Sequence, residues 1–239
     1  KIGKSPGYDL ISNKILKHLP NKTLILLTLI YNSMLGLSYF SLTWKFSIII
    51  LIHKPLKYKN LTTSYRPISL LPTLAKLFDK NVLKRIRPII RSHNIIPNSQ
   101  FGFRTNHSTI HQIHRFTDKI ATLFENKEFC PGVFLDLAQA FDRVWHISLL
   151  YKLKLFLPAP YYLIIHSYLC NRLFEVRQGN SISSYYPIQA GVSQGSDLAP
   201  DLFNIYTSDI PKVANTATYS DDTAILSFNK DPILTSSDL

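Results

Sequence analysis

Apolar residues recur along the chain in two patterns: spacings of three to four residues in some stretches, and short unbroken runs in others. After a Ser-Pro-Gly turn at residues 5–7, Ile15, Leu16 and Leu19 fall at helical spacing, and Pro20 ends that segment. Leu26, Leu27, Ile30, Tyr31 and Met34 predict a second helix closing near Gly36. The apolar runs 24–30 and 46–52 are far shorter than the ~20 residues a bilayer helix needs. Each suits a core helix or a buried strand, and the Ile-rich 46–52 run reads as a strand. Residues 53–64 form a basic polar loop, and 65–71 a further short strand.

Thr73 can cap a helix lined on one face by Leu74, Leu77, Phe78, Val82, Ile86 and Ile89, which Pro88 should bend or end. Residues 95–109 are irregular, and a helix is expected from about 108 to 126. The apolar run 133–137 contains Asp136 near its end and suits a central strand. Helices are expected at 147–156, 160–170 and 198–210. Hairpins are expected at 174–190, around Gly179-Asn180, and at 216–228, around Ser220-Asp221-Asp222. Helices and strands mix without regular alternation, so the class is α+β.

The length of 239 residues allows one large domain or two small ones. With 46% hydrophobic and 18% charged residues, the chain is not a disordered segment. Cys130 and Cys170, with no CxxC, give neither a disulfide framework nor a Cys-based zinc site; they read as buried apolar cysteines of a reducing compartment. The formal charge is +12. The window from Lys54 to Arg115 holds twelve Lys/Arg and one acid, Asp79, a net of +11, and the remainder of the chain is near neutral. Such a patch suits polyanions, whose phosphates it neutralises with release of counterions.

Asp221 and Asp222 stand together between apolar strands, and Asp136 ends another. An adjacent Asp pair is often only a polar turn. A third strand-borne acid and the basic window add weight to a site for Mg2+, which prefers oxygen ligands and substrate phosphates. Two such ions about 3.5–4 Å apart stabilise both attacking and leaving oxygens. His107, His111 and His114 share helical spacing but have no accompanying carboxylate, so solvated or template-facing histidines fit better than a zinc site.

At these residues the chain resembles the reverse transcriptase domain of non-LTR (LINE-type, Jockey-like) retrotransposons. The resemblance runs through nearly the whole chain. Lys4-Ser-Pro-Gly-Tyr-Asp9 resembles the KxPGPD motif; Trp44-Lys45, Lys54-Pro55 and Tyr65-Arg-Pro-Ile-Ser-Leu70 follow. Gln100-Phe-Gly-Phe-Arg104, His107-Ser-Thr109 and Gln112 form a further run. Phe134-Leu-Asp-Leu137 with Ala140-Phe-Asp142 resembles motif A, Ala190-Gly-Val-Ser-Gln-Gly-Ser196 motif B, and Tyr219-Ser-Asp-Asp-Thr-Ala224 motif C. The chain departs from the family pattern at Leu56, Ser193, Asp197, Asp201 and Ser220, and has Asp79 where Glu is usual. Asp197 would place a carboxylate in motif B near the nucleotide.

The resemblance implies a right-hand polymerase fold with fingers and palm only, the palm an antiparallel sheet packed on helices and the thumb absent. Residues 1–130 would be mainly fingers and 131–239 mainly palm. It implies an RNA-directed DNA polymerase, a nucleotidyltransferase that extends a primer 3′-hydroxyl with deoxynucleoside triphosphates during retrotransposition. The RNA template, DNA primer and dNTPs would be its partners, with thumb and endonuclease regions expected in the full-length element and no membrane. Asp136, Asp221 and Asp222 would be the catalytic acids and, with the Leu137 carbonyl, would bind two Mg2+ ions, for which Mn2+ could substitute. Arg66 would hold the triphosphate, unless it is a surface salt bridge, and Lys54 is a second phosphate candidate. Phe141 would exclude a ribose 2′-hydroxyl, unless it is a core aromatic. Gln194 and Gly195 would lie against the nucleotide. Gln100 and Arg104 would hold either the template strand or the fingers fold. The expected location is nuclear or cytoplasmic. A catalytically decayed nucleic-acid-binding remnant of the same fold is the alternative; a two-metal nuclease or phosphatase is the reading outside the family.

Overall fold

In a computed structural model, which describes residues 3–210 and 216–237, the chain folds as two compact units. The first comprises Lys1–His93 and Phe141–Ala199, the second Asn94–Ala140 and Pro200–Leu239. Strand pairing joins the two parts of the first unit: residues 173–177 hydrogen-bond with residues 46–50.

In the first unit, helices α1 (Asn13–Lys17) and α2 (Asn21–Gly36) lead to strands β1 (Phe46–His53) and β2 (Tyr65–Leu70), which pair antiparallel. The 24–30 run is thus helical. Helix α2 buries Tyr31 and Met34 and leaves Leu24, Ile25, Leu26, Leu29 and Ile30 exposed.

Helix α3 (Thr73–Ser92) continues past Pro88 rather than ending there. The ring removes the bond that Lys84 O would accept, but both residues lie on the exposed side, where solvent satisfies that carbonyl. The cap is Pro72; Thr73 instead donates its hydroxyl to Ile11 O. The buried stripe is rotated from the expected one. Ala75, Phe78, Asp79, Val82, Leu83, Ile86 and Ile90 are buried, while Leu77 is exposed.

Strand β4 (Leu173–Gln178), reached through α5 (His146–Lys154) and α6 (Ala159–Leu169), pairs parallel with β1. It turns at Gly179 into β5 (Ser181–Ile182) and also pairs with β6 (Tyr186–Pro187), so the expected return strand is split in two. Tyr31, Phe40, Trp44, Phe78 and Tyr168 meet at ring separations of 5.1–6.1 Å, forming this unit's aromatic core.

The second unit packs α4 (Thr109–Glu125), capped by Ser108, with an antiparallel sheet ordered β3-β8-β7. Its strands are β3 (Gly132–Leu135), β7 (Thr216–Tyr219) and β8 (Asp222–Leu226). Helix α7 (Ala199–Tyr206) lies in this unit except for its first residue, and α8 (Pro232–Ser237) closes it. β3 lies at the edge of the sheet among the described residues, not at its centre, with Phe134 75% exposed. Cys130 and Cys170 are free and half-buried rather than enclosed. No described helix is long and apolar enough to cross a membrane.

Candidate functional site

Two clusters gather the residues singled out by their chemistry, one in each unit. In the second unit, Tyr219 pairs with Asp222, so Ser220 and Asp221 alone form the turn and Asp222 is the first residue of β8. Leu135 pairs with Thr223, and continuing that antiparallel register sets Asp136 level with Asp222. Burial first, and then the charges of Asp221 and Asp136, push the Asp222 carboxyl above its ordinary pKa. Asp136 and Asp222 line one cleft of about 330 Å³ with Phe134, Phe116, Ile113 and Tyr219. Asp221 and Leu137 line a separate small cavity beside Gln100, Ser220 and Asn204. Asp221 thus sits in the turn and Asp222 on the strand, and the two line different cavities.

Three carboxylates gathered at these strand ends are hard oxygen donors suited to a divalent cation. As they stand, no set of three His, Cys, Asp or Glu among the described residues is arranged to hold a metal ion. Donor chemistry therefore fits such an ion, and convergence of the side chains does not. His111 and His114 are exposed on α4, in keeping with solvated histidines.

The turn is held from below by the 97–104 loop. Gln100 is 4% exposed, and its carboxamide closes a two-way clasp on one residue: Nε2 donates to Ser220 O at 3.0 Å, and Oε1 accepts from Ser220 N at 3.0 Å. The same Oε1 accepts from Gly102 N at 2.7 Å. A Cβ on Gly102 would overlap the Ser220 backbone, so only glycine lets the loop approach this closely. Arg104 Nη1 donates to Pro97 O and Gln100 O at 3.0 and 3.1 Å. Gln112 Nε2 donates to Ser99 O and Thr218 O at 2.9 and 3.1 Å. These hydrogen bonds of Gln100 and Arg104 all run to the backbone of the loop and turn of this chain. Gln112 had no assigned role; its amide among the helical positions of α4 was the available signal.

In the first unit, the 191–196 loop is knitted to two other segments. Gly191 N and Val192 N donate to Val144 O and Phe141 O, both at 2.8 Å. Ser69 N donates to Gln194 O at 2.8 Å. Gln194 Nε2 donates to both Asp142 carboxylate oxygens at 3.3–3.4 Å, while burial pushes the Asp142 carboxyl up. Gly195 has φ +131°, and a Cβ there would overlap Ser69 O. The close approach that Gly195 allows is therefore to β2 of this chain, and the Gln194 amide meets Asp142, a partner the sequence did not single out. Phe141 is half-buried and accepts a hydrogen bond only through its backbone in this loop.

Ser196 Oγ donates at 2.7 Å to Asp79, which is 1% exposed. Asp197, the most marked departure in motif B, faces Lys80 at 4.0 Å, where a cation offsets its charge. Lys54 Nζ donates to Thr63 O at 3.0 Å in the β1–β2 connection, and Arg66 is exposed on β2. Along α3, exposed Lys80, Lys84, Arg87 and Arg91 recur at i, i+4, i+7 and i+11, a single cationic stripe on the face opposite the core.

Residues 52–237 match the family described as Reverse transcriptase (RNA-dependent DNA polymerase). The chain is 46% identical over 235 residues to the probable RNA-directed DNA polymerase from transposon BS of Drosophila melanogaster, covering 94% of this chain and 26% of that protein. It is 43% identical over 248 residues to the RNA-directed DNA polymerase from mobile element jockey of Drosophila melanogaster, covering 100% of this chain and 27% of that protein. The chain thus spans about a quarter of the length of these curated relatives. Among solved structures, apo telomerase from Candida tropicalis truncated from its C-terminal domain superposes with a TM-score of 0.55 at 16% identity, over 90% of this chain and 51% of that one. Telomerase from Candida albicans in complex with a fragment of telomeric RNA gives 0.56 at 12% identity, over 87% and 42%. At those identities the likeness is one of fold.

Proposed function

Because this chain belongs to the reverse transcriptase family, as the match over residues 52–237 shows, we propose that it is the core of an RNA-directed DNA polymerase that extends a primer 3′-hydroxyl with dNTPs on an RNA template. The observation that carries this reading is the set of three acids, Asp136, Asp221 and Asp222, at the ends of neighbouring strands of one small sheet. Phosphoryl transfer asks little covalent chemistry of a protein; it asks for positioning and for compensation of charge on the transferring group. Once turned toward a common point, the three carboxylates and the Leu137 carbonyl would hold Mg2+, or Mn2+ in its place. A divalent cation bound there supplies Lewis-acid stabilisation of the phosphate oxygens.

The remaining tasks fall to the chain's own residues. The Arg66 guanidinium, exposed on β2, offers a planar fork to triphosphate oxygens, and Lys54 adds a point charge near it. Gln194 and Gly195, locked to Asp142 and β2, present a preformed loop edge to the nucleotide, and Phe141 beside them bars a ribose 2′-hydroxyl. The α3 stripe and the +11 window favour an RNA template and DNA primer as partners. A product destined for chromosomal DNA implies work in the nucleus or cytoplasm.

A primed RNA template with dNTPs and Mg2+, given to the full-length protein carrying this chain, tests the reading. Extension that is lost in Asp136→Asn and Asp221→Asn supports it. No extension with intact template binding sinks it in favour of a non-catalytic remnant, and dNTP-independent hydrolysis would point to a nuclease.

A further inference from the structure

Gln100 stands out as a buried polar side chain that makes two of its three hydrogen bonds to a single turn residue, Ser220. We infer that Gln100 is a positioning residue that sets the backbone of Ser220 and so decides how Asp221 and Asp222 are presented. This rests on the polymerase reading of those two acids.

A carboxamide that donates to one residue's C=O and accepts from the same residue's N–H replaces a strand partner at that point. Ser220 needs one, because it lies at the tip of the β7–β8 hairpin, where no described strand pairs with it. It also holds φ +61°, in the left-handed region that a residue with a side chain adopts reluctantly. The two bonds of 3.0 Å from Gln100 hold it there. Asp221 follows directly, and its direction into the cavity it shares with Leu137 depends on the Ser220 backbone.

The clasp is itself braced. Thr218 N donates to Ser99 O at 3.0 Å and Phe101 N to Thr218 O at 2.9 Å, so residues 99–101 run along β7 as an added parallel segment. Gln112 and Arg104 tie that segment to α4 and to Pro97. Gly102 packs against the Ser220 backbone beside the Gln100 carboxamide. A rigid second layer of this kind holds functional side chains within a few tenths of an ångström of their working geometry. With three hydrogen bonds made to this chain's backbone and 4% exposure, the Gln100 carboxamide faces the turn rather than solvent.

The test uses the full-length protein and two substitutions. Gln100→Met keeps the volume and removes all three bonds. Gln100→Glu keeps the acceptor but, when ionised, turns a carboxylate oxygen on the Ser220 carbonyl; when protonated it restores the donor. The first readout needs no activity: amide hydrogen exchange of the peptide spanning residues 216–224. Exchange there should rise at least tenfold in Gln100→Met while α3 exchanges as before; unchanged exchange overturns the clasp.

The second readout is single-nucleotide extension. The kcat should fall by about a hundredfold in Gln100→Met, with primer–template Kd and dNTP KM within about twofold. A weakened Kd with kcat retained would instead assign Gln100 to the template. The third is pH. The rate of Gln100→Glu relative to the unmodified protein should recover as pH falls from 8 to 6, and a flat ratio overturns the proposal. This comparison still decides the matter if Gln100→Met does not fold. If the unmodified protein extends no primer, the polymerase reading fails while the exchange experiment still reads the clasp.

Discussion

Ser196 Oγ donates a 2.7 Å hydrogen bond to the carboxylate of Asp79, joining the motif B loop to the buried face of α3. Among the described residues, Asp79 Oδ1 has no hydrogen-bond partner, nor do Nε and Nη2 of the buried Arg172 near it. Burial outweighs the Ser196 bond and the Arg172 charge, and pushes the Asp79 pKa up to about 7.

The sign of the resulting pH dependence follows from proton counting. Between the unfolded value of 3.8 and about 7, the folded protein binds more protons than the unfolded chain. Stability contributed by this group is therefore full below about pH 4 and lost as pH rises to 7. Asp79→Asn removes the titration. Its Tm relative to the unmodified protein should rise between pH 5 and pH 8, with the difference in chemical unfolding growing by about 3 kcal/mol at most. A Tm difference that stays constant across that range would refute the assignment.

Gly195→Ala should disrupt the motif B loop. Its φ of +131° and the overlap with Ser69 O leave the new methyl no room unless β2 moves. A loss of about 2 kcal/mol or more is expected in urea unfolding, with primer extension falling in parallel. Gly179→Ala is the control: its φ is also positive, but the space around it is open, so only the smaller backbone cost applies.

Replacing Lys80, Lys84 and Arg91 together by Gln tests the α3 stripe. If these cations neutralise phosphates of single-stranded RNA, the slope of log Kobs against log salt should shrink by about 2. Affinity should fall alike for all RNA sequences, as for contacts made to the backbone alone. An unchanged slope would make the stripe a solvated face only.

Gln194→Met breaks the bonds to Asp142 at 3.3–3.4 Å while preserving bulk. The Asp142 carboxylate then remains in a half-buried place without its donor. The KM for dNTP should rise several-fold, with primer–template affinity unchanged, as measured by steady-state extension and by filter binding.

The elements were largely legible because each carries its own period. The 46–52 run, the Ser108 cap and the strands flanking Asp221 are local patterns, and the structure places β1, α4, β7 and β8 there. What misled was always non-local. Pro88 broke no helix because its side of α3 faces solvent. The 133–137 run was apolar enough for a central strand, yet only β8 pairs with β3 among the described residues.

The same division holds for the candidate site. The ordered motifs, the three acids and the basic window are properties of the sequence, since family membership and charge need no coordinates. The partners of the buried amides belong to the tertiary structure. Gln100 read equally well as a template contact or a fold contact, because a carboxamide can meet a base edge or a backbone. Only the approach of Gly102 to Ser220, across more than a hundred residues of chain, decided that it clasps the turn. Likewise, only the fold shows that the glycine of motif B, Gly195, lies against the carbonyl of Ser69. Hydrogen-bonding capacity is written in the residue type; the partner is chosen by packing, which brings distant segments within bonding distance.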